Sequence, residues 1–301
     1  MERPVEFVSL GATLRGRLFL PDDCNRRPPI VVMAHGYSAT IDGMVADRYA
    51  EEFRAAGLAA LLYDHRGFGR SDGTPRRRID RWSQAIGYAD AIAFAAGLDD
   101  VDTSRLAVWG DSLSAGCALI AAAFDRRVGA LVAQVPALGS SLPPSDPTGA
   151  IVGSMAGAYA RRTLCQPIGE IGPLPVVSPD QIHAPSALTP LTAFRWFMTY
   201  GARFGTGWAN DVTIAERGPE EPYEPVLAAR RLRVPALFLV AHDDEMPGAV
   251  PSIALAAYEA AGDRGELLEL DGGHFGLLYH PSPTFDLAAR TETAFLRRHL
   301  S

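Results

Sequence analysis

Cysteine is scarce in this chain: only Cys24, Cys117 and Cys165, far apart in 301 residues. An odd, scattered set with no C-x-x-C spacing excludes a disulfide framework, a zinc knuckle and a dithiol redox motif. Free thiols in a reducing compartment are the expectation. Long apolar runs are also missing, none approaching the ~18 residues that a membrane span needs. The opening stretch "MERPVEFVSLGATLRGRLFLPDD" carries charges at Glu2 and Arg3 and alternates polar with apolar residues, unlike the continuous apolar core of a secretory signal. A soluble, cytoplasmic protein without a membrane partner is expected. Basic excess is lacking too: 35 acids against 28 bases leave a net charge of -7, spread along the chain. Nothing in that balance suits a polyanion such as nucleic acid. The tightest basic run, Arg76 to Arg78, reads as a solvated loop.

What the chain does have is apolar mass. With 48% hydrophobic residues and 21% charged ones it buries a large core, as one α/β domain carrying an insertion. Two alternating segments, "VEFVSL" and "TLRGRLFL", flank Gly11-Ala12 and read as an antiparallel hairpin. The pattern then changes. "PIVVMAH", "LAALLYD", "RLAVWG" and "VGALVAQVP" are continuous and apolar, the signature of strands buried on both faces. Between them lie helical segments: "DRYAEEFRAAG", ending on Gly57 as a C-cap, a stretch from about Trp82 to Leu98, and "AGCALIAAAF". Alternation of this kind implies right-handed crossovers and a mostly parallel sheet covered by helices.

After Pro136 the rhythm breaks. Residues 137–225 are rich in proline and glycine ("SSLPPSDPTG", "PIGEIGPLP") with a helix-like piece, "LTAFRWFMTYGARF". Strand signals return at "VPALFLVAHDDE" and "GELLELDGGHF", and an amphipathic helix covers about Thr284 to Leu300. The expected organisation is a core from 1–136 and 226–301 with a lid inserted over 137–225.

Gly110-Asp111-Ser112-Leu113-Ser114 joins a predicted strand to a predicted helix. Small residues two before and two after the serine permit a turn too tight for larger side chains, which lifts Oγ out of the sheet as a nucleophile. The following N–H, from Leu113, then sits at a helix N-terminus where a developing oxyanion is stabilised. The alternative for Ser112 is an ordinary helix N-cap. Ser114 stands where such turns usually have glycine, and it still satisfies the size requirement.

A serine hydroxyl needs a base, and the base needs an orienting acid. "LFLVAHDDEMP" places Asp243 and Asp244 just after a buried strand, and "LLELDGGHF" places His274 just after the last one, in the chain order serine, acid, histidine. Asp243, the fourth residue before Pro247, suits a loop turning down beside His274 and is favoured over Asp244. A second oxyanion donor is expected from the loop His35-Gly36-Tyr37, where glycine allows close backbone approach and the Tyr37 N–H is the candidate. His35 reads as a ring bracing that loop. In "YDHRGFGRSDG", Arg66 and Asp72 read as structural.

These residues together resemble the α/β-hydrolase superfamily: His-Gly after the third strand, D-x-R-G-x-G-x-S-D-G after the fourth, G-D-S-L-S at the elbow, then H-D-D-E-M-P and G-G-H-F. "GATLRGRLFLP" and "GGHF" are most similar to the dienelactone-hydrolase and S9/S15-peptidase-like branch of bacterial acyl hydrolases. The resemblance covers most of the chain outside the insertion. It implies an eight-stranded, mostly parallel sheet flanked by helices, Ser112 as nucleophile, Asp243 as acid, His274 as base, and no metal or organic cofactor.

The expected chemistry is hydrolysis of a carboxylic ester, thioester or lactone through an acyl-enzyme. Carbon–carbon bond hydrolysis, acyl transfer and peptide cleavage use the same residues, and a non-catalytic ligand-binding protein is the remote alternative. The expected partner is a small acyl substrate with an apolar or aromatic acyl group. In the insertion, Trp196, Phe197, Tyr200, Phe204 and Trp208 stand at spacings that suit a helix packing on the core, with one or two facing substrate. Trp196, Phe197 and Tyr200 are the candidates. The exposed face of the last helix is compatible with a homodimer.

Overall fold

A computed structural model describes residues 1–22 and 27–301, so Cys24 lies outside the described residues. In chain order the elements are β1 (Glu2–Ser9), β2 (Ala12–Phe19), β3 (Pro29–Ala34), α1 (Ala46–Ala55), β4 (Ala59–Tyr63), β5 (Arg78–Ile79), α2 (Arg81–Ala95), β6 (Asp102–Asp111), α3 (Leu113–Phe124) and β7 (Val128–Gln134). They continue with α4 (Ala150–Arg161), β8 (Gly169–Leu174), α5 (Leu191–Tyr200), β9 (Val212–Glu216), α6 (Pro225–Ala229), β10 (Ala236–Ala241), α7 (Pro251–Ala261), β11 (Gly265–Leu270) and α8 (Pro283–His299).

Eight strands form one sheet in the order β1-β2-β4-β3-β6-β7-β10-β11. The first two pair antiparallel around Leu10-Gly11, both at positive φ, and β2 meets β4 antiparallel; every later pairing in this sheet is parallel. This is the α/β-hydrolase fold. Its apolar strands are buried on both faces because successive side chains alternate sides. On β3, Ile30, Val32 and Ala34 join the core beneath α2 and α3, while Val31 and Met33 join the core beneath α1 and α8. No helix among the described residues is long and apolar enough to cross a membrane.

Parallel strands all end on one rim. The loops after β3, β6, β10 and β11 therefore converge there, although they span the chain from Gly36 to His274. Residues 137–225 contain α4, β8, α5 and β9. The last two strands of a second, three-stranded sheet, order β5-β9-β8, come from this segment and the first from the loop before α2. That small sheet has no counterpart in the periodicity of the sequence, since β5 is two residues long.

The basic run Arg76 to Arg78 is only in part the solvated loop expected: Arg76 is exposed, whereas Arg78 belongs to β5. Arg77 pairs with Asp211 at 2.7 Å and Arg78 with Glu170 at 3.1 Å, so two of its three charges tether residues 137–225 to the loop before α2. Arg76 donates to the carbonyls of Ser71 and Gly69.

Candidate active site

Ser112 links β6 to α3 with φ 52° and ψ −119°, a left-handed conformation that costs a non-glycine residue about 1–3 kcal/mol. It occupies the N-cap position, yet its side chain caps no N–H. The ordinary helix cap is thereby excluded. The turn closes only because Gly110 lacks a side chain: a Cβ there would lie 2.4 Å from the Ser114 carbonyl oxygen. Leu113 is the first residue of α3, so its N–H belongs to the group that finds no carbonyl partner within the helix.

The loop after β3 lies across this turn. A Cβ on Gly36 would come within 2.9 Å of the Asp111 carbonyl oxygen and the Ser112 Cβ. Asp111, buried, accepts the Gly36 N–H at 3.0 Å through Oδ1. His35 braces the same loop from below, its Nε2 accepting the Ala46 N–H at 3.0 Å at the start of α1. Ser114 adds a third tie: its hydroxyl donates to the His35 carbonyl and accepts from His65 Nε2 at 2.7 Å. Burial drives the His65 pKa down to about 3, so that ring is neutral.

The loop after β4 is held from within. Asp64, buried, accepts the Ile41 N–H at 2.9 Å and the Arg70 N–H at 3.0 Å, and burial raises its pKa to about 6. Arg66 donates to the Thr74 carbonyl, whereas Asp72 pairs with Arg15 of β2 at 2.6 Å. Neither Arg66 nor Asp72 lines the cavity described below.

His274 follows β11 and is buried. The carboxylate facing its ring belongs to Asp244, not Asp243: Asp244 Oδ2 lies 2.7 Å from His274 Nδ1. Asp243 is exposed. The backbone explains the difference. Asp243 still pairs with the segment that follows β11, its N–H donating to the Gly272 carbonyl, and its side chain is left exposed. The chain bends at the next residue, where Asp244 Oδ1 accepts the Met246 N–H at 3.0 Å and Oδ2 is left for the imidazole. With Nδ1 donating to a carboxylate, Nε2 is the ring's acceptor. Glu245, which the sequence reading passed over, accepts the His274 N–H at 3.0 Å and fixes the backbone of the histidine loop. Its place in the run H-D-D-E was the only signal available.

Ser112, Leu113, Gly36, Tyr37 and His274 line one cavity of about 650 Å³. Trp196 and Phe197 of α5 form part of its wall, packed edge to face at 4.9 Å, with Trp196 stacked on Phe275 next to the histidine. Tyr200 does not reach it. One turn further along α5, its hydroxyl is engaged by His280, accepting the N–H at 3.0 Å, and its ring packs on Tyr279. Phe204 is fully exposed, and Trp208 stacks on Phe197 with its N–H on the Ser38 hydroxyl.

Another wall comes from the small sheet. Ile79 of β5, Ile214 of β9 and Ile171 of β8 are register partners across the three strands, and all three line the cavity. Sequence reasoning missed this row entirely. Beside it, Arg217 is clasped by two buried carboxylates, Asp80 and Glu221, the latter at 2.9 Å.

A model of the family described as Serine aminopeptidase, S33, matches residues 26–170. The chain is 32% identical over 277 residues, 90% of its length, to the quorum-quenching protein AidA of Acinetobacter baumannii, of which the match covers 86%. It is 41% identical to the thiohydrolase apmlB of Arthrinium phaeospermum over 138 residues, 46% of this chain and 44% of that protein. Among solved structures, the α/β hydrolase GrgF from Penicillium sp. sh18 superposes with a TM-score of 0.75 at 27% identity, covering 100% of this chain and 99% of that one.

Proposed function

The chain belongs to the α/β-hydrolase superfamily, and from that premise we propose that it is a serine hydrolase cleaving a carboxylic ester, thioester or lactone through an acyl-enzyme. The observation that carries this reading is Ser112, held at positive φ without a capping role, in the same cavity as a histidine bonded to a buried carboxylate.

In the proposed mechanism His274 Nε2 takes the Ser112 proton as Oγ attacks the substrate carbonyl. Asp244 fixes the imidazole tautomer and stabilises the imidazolium. The N–H groups of Leu113 and Tyr37 bind the oxyanion, the first aided by the N-terminus of α3. The protonated His274 then donates to the leaving group, and a water activated by the same ring releases the acyl group.

The row Ile79, Ile214 and Ile171, with Trp196 and Phe197 opposite, suits an apolar acyl group, and residues 137–225 are proposed as the lid that supplies most of that surface. A thiohydrolase among the relatives supports thioesters as a substrate class.

Labelling with a fluorophosphonate, comparing wild type with Ser112→Ala, tests the nucleophile, and a series of p-nitrophenyl esters of increasing acyl length tests the pocket. Wild type that resists the probe overturns the reading. Labelling without ester turnover redirects it to acyl transfer or carbon–carbon cleavage on the same residues.

A further inference from the structure

Most charged groups along the cavity are already engaged. Asp244 holds His274, Asp111 takes the Gly36 N–H, and Arg217 is clasped by Asp80 and Glu221. Two donors are left over. Arg81, the first residue of α2 and exposed at the rim of the cavity, lies with its guanidinium 5.8 Å from the centre of the Tyr223 ring and meets no carboxylate at ion-pair distance among the described residues. The Tyr37 hydroxyl is buried and has no hydrogen-bond partner among the described residues. Both residues line the cavity, and the Arg81 charge acts on the Tyr37 phenol, pulling its pKa down against the rise that burial imposes.

A buried hydroxyl without a partner has given up its bond to water and received nothing in return. A guanidinium offers five donors in a planar fork that matches a carboxylate. Glu224, half-buried in the same wall, makes no ion pair with Arg81; burial lifts its pKa, and the Arg81 charge draws it part of the way back. Glu216, the remaining carboxylate of the lining, is exposed. Arg81 also follows Ile79 by two residues, so the apolar row of the small sheet leads to the arginine.

We propose that Arg81 and the Tyr37 hydroxyl form an anion subsite that binds a carboxylate carried by the substrate, set apart from the scissile carbonyl by an apolar spacer. This rests on the serine-hydrolase reading for its chemistry but not for its binding. Half-esters and half-thioesters of dicarboxylic acids satisfy it on the acyl side; an acidic thiol or alcohol satisfies it on the leaving side.

Binding is measured by calorimetry on the Ser112→Ala protein, using monomethyl esters of dicarboxylic acids against the dimethyl esters of equal length, with and without Arg81→Gln. Turnover by wild type is measured with matched pairs: ω-carboxyalkanoyl against alkanoyl p-nitrophenyl esters, and acyl thioesters of mercaptopropionate against those of its methyl ester. The expected result is a preference of roughly 10- to 100-fold for the carboxylate at the best spacer length. Arg81→Gln brings that preference close to unity, Arg81→Lys restores part of it, and Tyr37→Phe reduces it several-fold. Preference in only one turnover pair locates the carboxylate on the acyl or the leaving side. Equal binding of charged and neutral esters, or a preference that survives Arg81→Gln, overturns the subsite. Charge-selective binding without any turnover keeps the subsite and sinks the hydrolase reading instead.

Discussion

Asp244 lies 2.7 Å from the His274 ring while its neighbour Asp243 stands in solvent, so two adjacent aspartates have opposite environments. Asp244→Asn keeps the shape but reverses the preferred tautomer, and should lower kcat by about 10⁴. Asp243→Asn should leave kcat close to wild type. Steady-state kinetics on the two variants, side by side, checks the assignment; equal losses would refute it.

Ser114 joins three segments through one hydroxyl. In Ser114→Ala the His35 carbonyl loses its donor, and His65, whose Nδ1 has no partner among the described residues, loses the one at Nε2. The expected destabilisation is about 1–3 kcal/mol, the cost of stranding buried polar groups. Urea unfolding measures it. Loosening of the His35-Gly36-Tyr37 loop should also lower kcat more than it raises KM.

Arg217 is one cation between two carboxylates that are almost wholly buried. Arg217→Gln leaves Asp80 and Glu221 uncompensated, and a loss of about 3–5 kcal/mol is expected. Adding Asp80→Asn and Glu221→Gln should recover much of it, because the repelling charges are then gone. Thermal unfolding of the single and triple variants distinguishes charge stranding from lost packing.

Two buried groups give acid stability a defined shape. His65 titrates near 3 in the fold and near 6.5 when exposed, so below pH 6.5 the unfolded chain takes up a proton that the folded protein refuses, and stability falls as pH drops toward 3. Asp64, near 6 in the fold against 3.8 in the open chain, works the other way: its proton is held by the fold first, adding stability as pH falls from about 6 to 3.8. The larger shift belongs to His65. Between pH 6 and 4 the two effects nearly cancel, so wild-type stability should change little there, whereas Asp64→Asn should lose stability steadily as pH falls. Urea midpoints of both proteins measured across that range test this; a flat profile in Asp64→Asn would show that His65 is accessible to protons.

Much of this molecule was legible because its signals are local. A strand buried on both faces must be apolar throughout, which is why β3, β4, β6, β7 and β10 stood out, and a tight strand-to-helix turn needs small residues nearby, which Gly110 and Ser114 supply. That Ser112, an aspartate and His274 follow strands ending on one rim was readable for the same reason: the crossovers dictate the direction of each strand.

What the sequence left open is decided by contacts between distant segments. Asp243 and Asp244 differ by which way the chain turns once the Gly272 carbonyl has taken an N–H, a bond across 29 residues that no local pattern encodes. Trp196 and Tyr200 share a helical face, yet Trp196 lines the cavity while Tyr200 is engaged by His280 away from it, a difference set by contacts 80 residues along the chain. The isoleucine row joins residues 79, 171 and 214 through a sheet whose first strand is two residues long, too short for any periodicity to announce. Composition and spacing determined the scaffold and the tight turn that carries Ser112; the carboxylate beside His274, the pocket wall and an Arg81 without an ion pair among the described residues came from packing, because side chains far apart in the chain become neighbours only when the fold closes.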